Sequence, residues 1–146
     1  MNGICHLLQA LKSLARTGWM LRSVPRNLAE SVAEHSFLAA VIALDIASRL
    51  RSGGIDVDPL RASALALIRD IGEAYVGDIA KVFDKLTGAV KDSIELGVVE
   101  EKVENEFLKK LYREFHEGRT REALIARLCD YLATYVQAKV CEGMGV

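Results

Sequence analysis

This sequence is poor in several features that would mark a particular class of protein. Its three cysteines are widely spaced and form no CxxC pair, so we expect reduced, mostly buried thiols rather than disulfides or a cysteine zinc site. No strand-like alternation of apolar and polar residues runs for any length, and there is no repeat or low-complexity segment. The sequence thus gives no support to a β-rich fold, a repeat array or a disulfide-stabilised secreted domain.

An excess of charge and a long apolar run are lacking as well. Lys and Arg number 19 against 20 Asp and Glu, a formal net charge of -1, so no basic surface for nucleic acid or a membrane is expected. The most apolar stretch, Phe37 to Ile46, contains Asp45 and falls short of the roughly 18 residues of a membrane span. Met1 to Leu14 lacks the pattern of a signal peptide. We therefore expect a cytoplasmic protein that holds any anionic ligand in a local pocket.

What the sequence does contain is a succession of helix signals. Residues 4–15 place leucines on one stripe, and an apolar segment from about Val32 to Leu50 follows Ser31, which can form a capping box with Glu34. Because this second helix is apolar almost all round, we expect it to be central and buried.

Capping residues mark the later helices. An Asp-Pro pair at 58–59 starts a third helix, and Thr120 begins a last one. The charged segment 84–115 predicts two helical pieces with a break near Gly88 or Gly97. Since 51% of the residues are apolar, one domain of this length can bury a proper core. We predict an all-α, single-domain bundle of five to six helices.

Four groups of residues suggest chemistry rather than core packing. They are Arg16 with Trp19, Glu34 with His35, Arg69 with Asp70, Glu73 and Asp78, and finally Asp130. An unpaired carboxylate in the interior costs several kcal/mol or stays protonated. One histidine and two carboxylates on separate buried helices therefore require a shared cation, which a divalent metal or an arginine can supply.

Each of these residues also has a simpler interpretation. His35 on an apolar helix can be a hydrogen-bonded core residue, as lone histidines often are. Arg16 and Glu73 can form an ordinary ion pair, and Trp19 can anchor the core. Residue types alone leave both interpretations open.

The same residues form motifs that follow one another along the chain. The motifs are Arg16-Thr-Gly-Trp19, Ser-Val-Ala-Glu34-His35-Ser, Arg69-Asp70-Ile-Gly-Glu73-Ala-Tyr-Val-Gly-Asp78-Ile and Cys-Asp130-Tyr-Leu. This succession resembles the HD-domain phosphohydrolases, and in particular the 5'-deoxynucleotidase branch that acts on deoxynucleoside monophosphates. The resemblance is collinear from Arg16 to about Lys139 and implies a single HD domain over residues 1–146.

The resemblance implies a metal site and two catalytic carboxylates. His35, Asp70 and Asp130 correspond to ligands of a divalent metal ion, whose identity the sequence does not indicate. Glu73 and Asp78 correspond to the carboxylates that flank the substrate, move protons and orient water or phosphate. In such a site the ion polarises a phosphoryl oxygen and activates a bound water.

The resemblance also implies a substrate. Arg16 and Trp19 correspond to residues that hold the phosphate and line the nucleotide side of the pocket, so the expected substrate is a nucleoside monophosphate or another small phosphate ester. The apolar content and the amphipathic last helix also suit a homodimer or a higher homo-oligomer.

Arg69 departs from the family, which has histidine at this position. A guanidinium stays protonated and has no lone pair to offer, so Arg69 cannot be a metal ligand. Three arrangements remain open: a weaker metal site made by His35, Asp70 and Asp130, an Arg69 that folds inward and takes the place of the metal, or an Arg69 turned to solvent. The functions that follow are a phosphohydrolase, a non-catalytic nucleotide or phosphate binder without metal, and an oligomerisation domain with a relic pocket.

Overall fold

The structure is a computed structural model that describes residues 3–80 and 90–146. Six helices in these ranges have ten residues or more, and two others are single turns. The helices are α1 (Gly3–Ser13), α2 (Thr17–Met20), α3 (Val32–Ser52), α4 (Pro59–Ile68), α5 (Glu73–Val76), α6 (Val90–Lys102), α7 (Glu106–Glu117) and α8 (Arg121–Gly143). The described residues contain no β-strand, which confirms the predicted all-α class.

The core forms where α3, α4 and α8 pack against one another. The face that α3 buries consists mainly of small residues, Ala39, Ala43 and Ala47 among them. Small side chains let helix axes approach closely. The expectation that α3 is central is confirmed, but the helix is not buried along its whole surface, because Phe37 is 66% exposed and Val41 is 49% exposed. Its inner face carries mainly alanines, and other large apolar residues of α3 are partly buried against the core.

Most predicted helix ends are confirmed. Ser31 and Glu34 form a reciprocal capping box at the start of α3, and Thr120 caps α8 through the backbone N–H of Ala123. The break near Gly97 was wrong, because α6 runs through Gly97 and ends at Lys102. Gly88 lies outside the described residues.

One short connection fixes the segment after α1 to the start of α3. Ala15 and Ser31 form an isolated antiparallel bridge, in which the backbone N–H of Arg16 donates to the carbonyl of Glu30 at 2.9 Å. Arg16 and Trp19 are thereby held beside the first turn of α3. Within residues 3–80 and 90–146, no helix is long and apolar enough to cross a membrane.

Candidate functional site

A cavity of about 780 Å³ opens where the ends of several helices meet. Its walls carry most of the residues selected from the sequence, together with apolar and basic neighbours. They are Arg16, Trp19, Arg22, Arg69, Asp70, Glu73, Asp78, Lys91, Asp130 and Tyr131. Its volume lies in the range of pockets that hold small ligands, about 300–1,000 Å³.

Arg69 folds inward and joins the two aspartates selected from the sequence. Its Nη1 donates to Asp70 Oδ1 at 2.6 Å, and its Nη2 lies 3.1 Å from Asp130 Oδ1. The residue is only 6% exposed. Arg16 approaches the same group from the other side, with Nη1 3.7 Å from Asp70 Oδ2. Of the three arrangements open to Arg69, the structure has the second.

His35 completes this group from the first turn of α3. Its Nε2 lies 2.9 Å from Asp130 Oδ1, and its Nδ1 lies 3.0 Å from Glu30 Oε1. The imidazole is fully buried. Three stretches of chain that are far apart in sequence therefore converge on one centre, as the motifs predict.

These residues do not fit a divalent metal. Three of the atoms that would ligate it are already in contact with one another or with the Arg69 guanidinium, namely His35 Nε2, Asp70 Oδ1 and Asp130 Oδ1. Arg16 and Arg69 also place two positive charges beside Asp70 and Asp130, where they oppose the entry of a divalent cation. In the described residues, no group of three or more His, Cys, Asp or Glu side chains has a geometry that could hold a metal ion. The Arg69 guanidinium lies between the two aspartates that the sequence resemblance assigns to a metal.

Glu30 is a site residue that the sequence analysis missed. Its Oε1 accepts a hydrogen bond from Trp19 Nε1 at 3.0 Å and also faces His35 Nδ1. Glu30 is buried, so it fixes the orientation of both rings. Its position directly before the Ser31 cap, and five residues before His35, was a signal that could have identified it.

The segment after α5 closes the pocket beside Arg16. Asp78 accepts a hydrogen bond from the backbone N–H of Thr17 through Oδ2, and its carbonyl accepts one from Thr17 Oγ1 at 2.8 Å. The Arg16 guanidinium is held between acidic groups. Burial opposes its charge, but Asp70 and Asp78 outweigh this and raise the pKa of Arg16.

The buried Glu73 lines the pocket together with a half-buried cation, Lys91. Lys91 Nζ donates to Glu73 Oε1 at 3.0 Å and lies 3.4 Å from Glu95 Oε1. Glu73 Oε2 is buried and has no hydrogen-bond partner among the described residues. Tyr112 donates to Glu95 Oε2 at 3.3 Å. This set of Glu73, Lys91, Glu95 and Tyr112 is called the lysine cluster below.

Burial dominates the acid–base properties of the lysine cluster. It raises the pKa of Glu73 to about 9, with a further contribution from Asp70, although Lys91 acts in the opposite direction. Burial likewise raises the pKa of Glu95 to about 7 against the effect of Lys91. Burial would lower the pKa of Lys91, but the neighbouring Glu73 and Glu95 outweigh it and raise that pKa. Of the two glutamates, Glu73 therefore keeps its proton to the higher pH.

Comparison with known proteins identifies the family. A family model described as HD domain matches residues 8–145. The chain belongs to the HD domain family. It is 32% identical over 136 residues to the 5'-deoxynucleotidase HDDC2 of Dictyostelium discoideum, an alignment that covers 88% of this chain and 70% of the relative. It is 31% identical to the protein of the same name from Homo sapiens, over 95% of this chain and 67% of that one.

Solved structures show the same fold. A conserved hypothetical protein from Pyrococcus furiosus superposes with a TM-score of 0.85 at 32% identity, covering 95% of this chain and 81% of the other. A protein from Pyrococcus horikoshii superposes with a TM-score of 0.84 at 37% identity, covering 95% and 77%. The predicted HD-type bundle is thereby confirmed. The chain spans about two thirds of the length of the curated relatives that it matches.

Proposed function

We propose that this HD-domain protein is a phosphoric monoester hydrolase that acts on nucleoside monophosphates. The observation that carries the proposal is the composition of the pocket, in which Arg16 and Trp19 line the same cavity as Glu73 and Asp78. Relatives named 5'-deoxynucleotidase match most of the chain and support the same class of reaction and substrate. The expected cytoplasmic location and homo-oligomeric state remain predictions.

The pocket supplies a binding group for each part of such a substrate. Arg16 is the cation with the longest ion pair in the centre, 3.7 Å to Asp70, and can turn toward a phosphate without breaking a short hydrogen bond. Trp19 presents an aromatic ring for the nucleoside. Arg69 offsets charge that develops on the phosphoryl group, which is the electrostatic task that a metal performs in other hydrolases.

The two carboxylates suit opposite steps of proton transfer. Hydrolysis adds water at phosphorus, breaks the bond from phosphorus to the ester oxygen, and requires a proton for that leaving oxygen. The pKa of Glu73 is raised to about 9, and its Oε2 has no hydrogen-bond partner among the described residues, so Glu73 can donate this proton. Asp78 also lines the pocket and can accept the proton that the attacking water loses.

A second function, a non-catalytic binder of nucleotides or phosphate, is favoured by one observation. Arg69 bridges Asp70 and Asp130 at the position of the family's metal. A permanent cation retains attraction for an anion even where turnover has been lost. Both functions use the same pocket, so binding and turnover must be measured separately.

The first experiment measures phosphate release from a panel of nucleoside and deoxynucleoside monophosphates, with a chelator and with added Mg²⁺, Mn²⁺ or Co²⁺. Binding is followed in parallel through the fluorescence of Trp19, the only tryptophan of the chain. We expect release from at least one substrate to fall by about 100-fold or more in Glu73→Ala and in Asp78→Ala, since acid–base groups contribute factors of this order.

The matched control is Glu117→Ala, which removes an exposed carboxylate from the end of α7 and should leave release unchanged. Nucleotide binding without release under any condition would favour the binder. A chain that neither binds nor hydrolyses any member of the panel would contradict both functions and leave the oligomerisation domain.

A further inference from the structure

Lys91 directs its ammonium group at three oxygen atoms beneath the pocket. The distances from Nζ are 3.0 Å to Glu73 Oε1, 3.1 Å to the carbonyl oxygen of Ile79 and 3.4 Å to Glu95 Oε1. A lysine ammonium has three N–H donors and accepts no hydrogen bond. Two of these donors form hydrogen bonds, with Glu73 and Ile79, and the Glu95 carboxylate forms an ion pair with the ammonium. The side chain also forms part of the cavity wall.

The two hydrogen-bond acceptors of Lys91 belong to the elements that carry the proposed catalytic carboxylates. Glu73 opens α5, and Ile79 directly follows Asp78 in the segment after Gly77. Gly77 has a φ of 84°, so the chain turns sharply between the two carboxylates. Lys91 thus binds the chain before and after this turn. The hydrogen bonds between Thr17 and Asp78 also hold the segment after the turn.

The ion pair with Glu95 anchors Lys91 in the body of the protein. Glu95 lies one turn further along α6, is 3% exposed, and accepts a hydrogen bond from the buried Tyr112 of α7. The backbone just before α5 also packs closely against Glu95 and Tyr112. A Cβ at Gly72 would lie 2.7 Å from Tyr112 Oη and 3.0 Å from Glu95 Cβ. The lysine cluster is therefore packed directly against the backbone that leads into Glu73.

We propose that Lys91 is a positioning residue, which holds Glu73 and the segment that carries Asp78 in their places through two hydrogen bonds, while an ion pair with Glu95 holds Lys91 itself. The proposal rests on the proposed function for what these carboxylates do, but the placement itself is a separate claim. The proposal gives Lys91 and Arg16 different roles. Lys91 positions the carboxylates, whereas Arg16, whose ion pair with Asp70 is 3.7 Å long, is the cation available to the phosphate.

The variant that tests the proposal is Lys91→Met, which keeps the length and most of the volume of the side chain and removes the ammonium. We expect kcat to fall by about 100-fold, because a displacement of about 1 Å in a catalytic group has effects of this size. The affinity for the nucleoside monophosphate, read from Trp19 fluorescence, should change by less than about threefold. Lys12→Met, which alters an exposed lysine of α1, is the matched control and should change neither quantity.

Hydrogen exchange supplies a readout that does not depend on activity. In Lys91→Met, the amides of residues 73–79 should exchange at least about tenfold faster, whereas amides in the middle of α8 should keep their rates. Lys91→Arg supplies a cation with several donors and should restore part of the protection and part of kcat.

Each outcome decides the proposal. A loss of nucleotide affinity that matches the loss of kcat/KM would make Lys91 a substrate contact and overturn it. Unchanged exchange at residues 73–79, or faster exchange throughout the molecule, would also overturn it. If the wild-type chain releases no phosphate, the proposed function fails, and the exchange experiment alone still accepts or rejects the positioning role.

Discussion

Replacing Arg69 by histidine should give the chain a divalent-metal site with an affinity at least about 100-fold above that of the wild type. The guanidinium now lies between Asp70 and Asp130. A positive charge about 5 Å from a divalent ion repels it by several kcal/mol even at an effective dielectric constant near 20, and each 1.4 kcal/mol is about a tenfold change in affinity. The substitution removes this charge and supplies an imidazole lone pair beside His35 and the two aspartates.

Isothermal calorimetry with Mn²⁺ and Co²⁺, together with the metal content of the purified protein, measures the effect. The control is Arg69→Met, which removes the charge without adding a nitrogen ligand and should recover only part of the affinity. If the wild type already binds metal as tightly as Arg69→His, then Arg69 does not occupy the metal position in solution. The conclusion that the site excludes a divalent ion would then be wrong.

Replacing Glu73 by glutamine should stabilise the fold, and the gain should grow with pH. Burial and Asp70 raise the pKa of Glu73 from 4.5 to about 9. The stability that this carboxyl contributes is therefore fully present below pH 4.5 and is lost as the pH rises toward 9, because the unfolded chain gives up the proton first. The loss amounts to at most about 1.4 kcal/mol per pH unit in that window. Glutamine is close in shape to the protonated acid and does not titrate.

Thermal unfolding from pH 5 to pH 9 checks this result. We expect Tm of Glu73→Gln to lie within about 2 °C of the wild type at pH 5 and at least about 5 °C above it at pH 8, given a few degrees per kcal/mol for a domain of this size. Glu95→Gln should behave similarly but level off above pH 7, because its pKa is about 7. Glu117→Gln serves as the exposed control. A difference that stays constant or shrinks with pH would show that Glu73 ionises normally in the folded protein.

The sequence predicted those features that depend on local signals. Helix starts at Ser31, Asp58 and Thr120 follow from side chains that accept hydrogen bonds from the next turn. The convergence of His35 and Asp130 was also predictable, because buried polar groups on separate helices need a common partner. The choice among the three arrangements open to Arg69 did not follow from its residue type, since a long side chain can reach either the pocket or solvent.

Other parts of the site could not be predicted, because their meaning depends on which face of a helix is inside. Lys91 and Glu95 are four residues apart in a charged segment, a pattern that is usual for a solvated helix surface. In the structure that face turns inward and packs against α5 and α7. For the same reason the apolar pattern of α3 indicated a helix of the core but did not show that alanines, rather than Phe37 and Val41, form its inner face.

The guanidinium of Arg69 also changes what the centre requires from its surroundings. A bound ion is present only in proportion to its supply, and it leaves when its ligands take up protons in acid. An arginine is synthesised with the chain, is present once in every molecule, and keeps its charge at any pH at which the protein is folded. The positive charge between Asp70 and Asp130 is thus part of the covalent structure. The centre therefore needs no added ion once the helices have packed together.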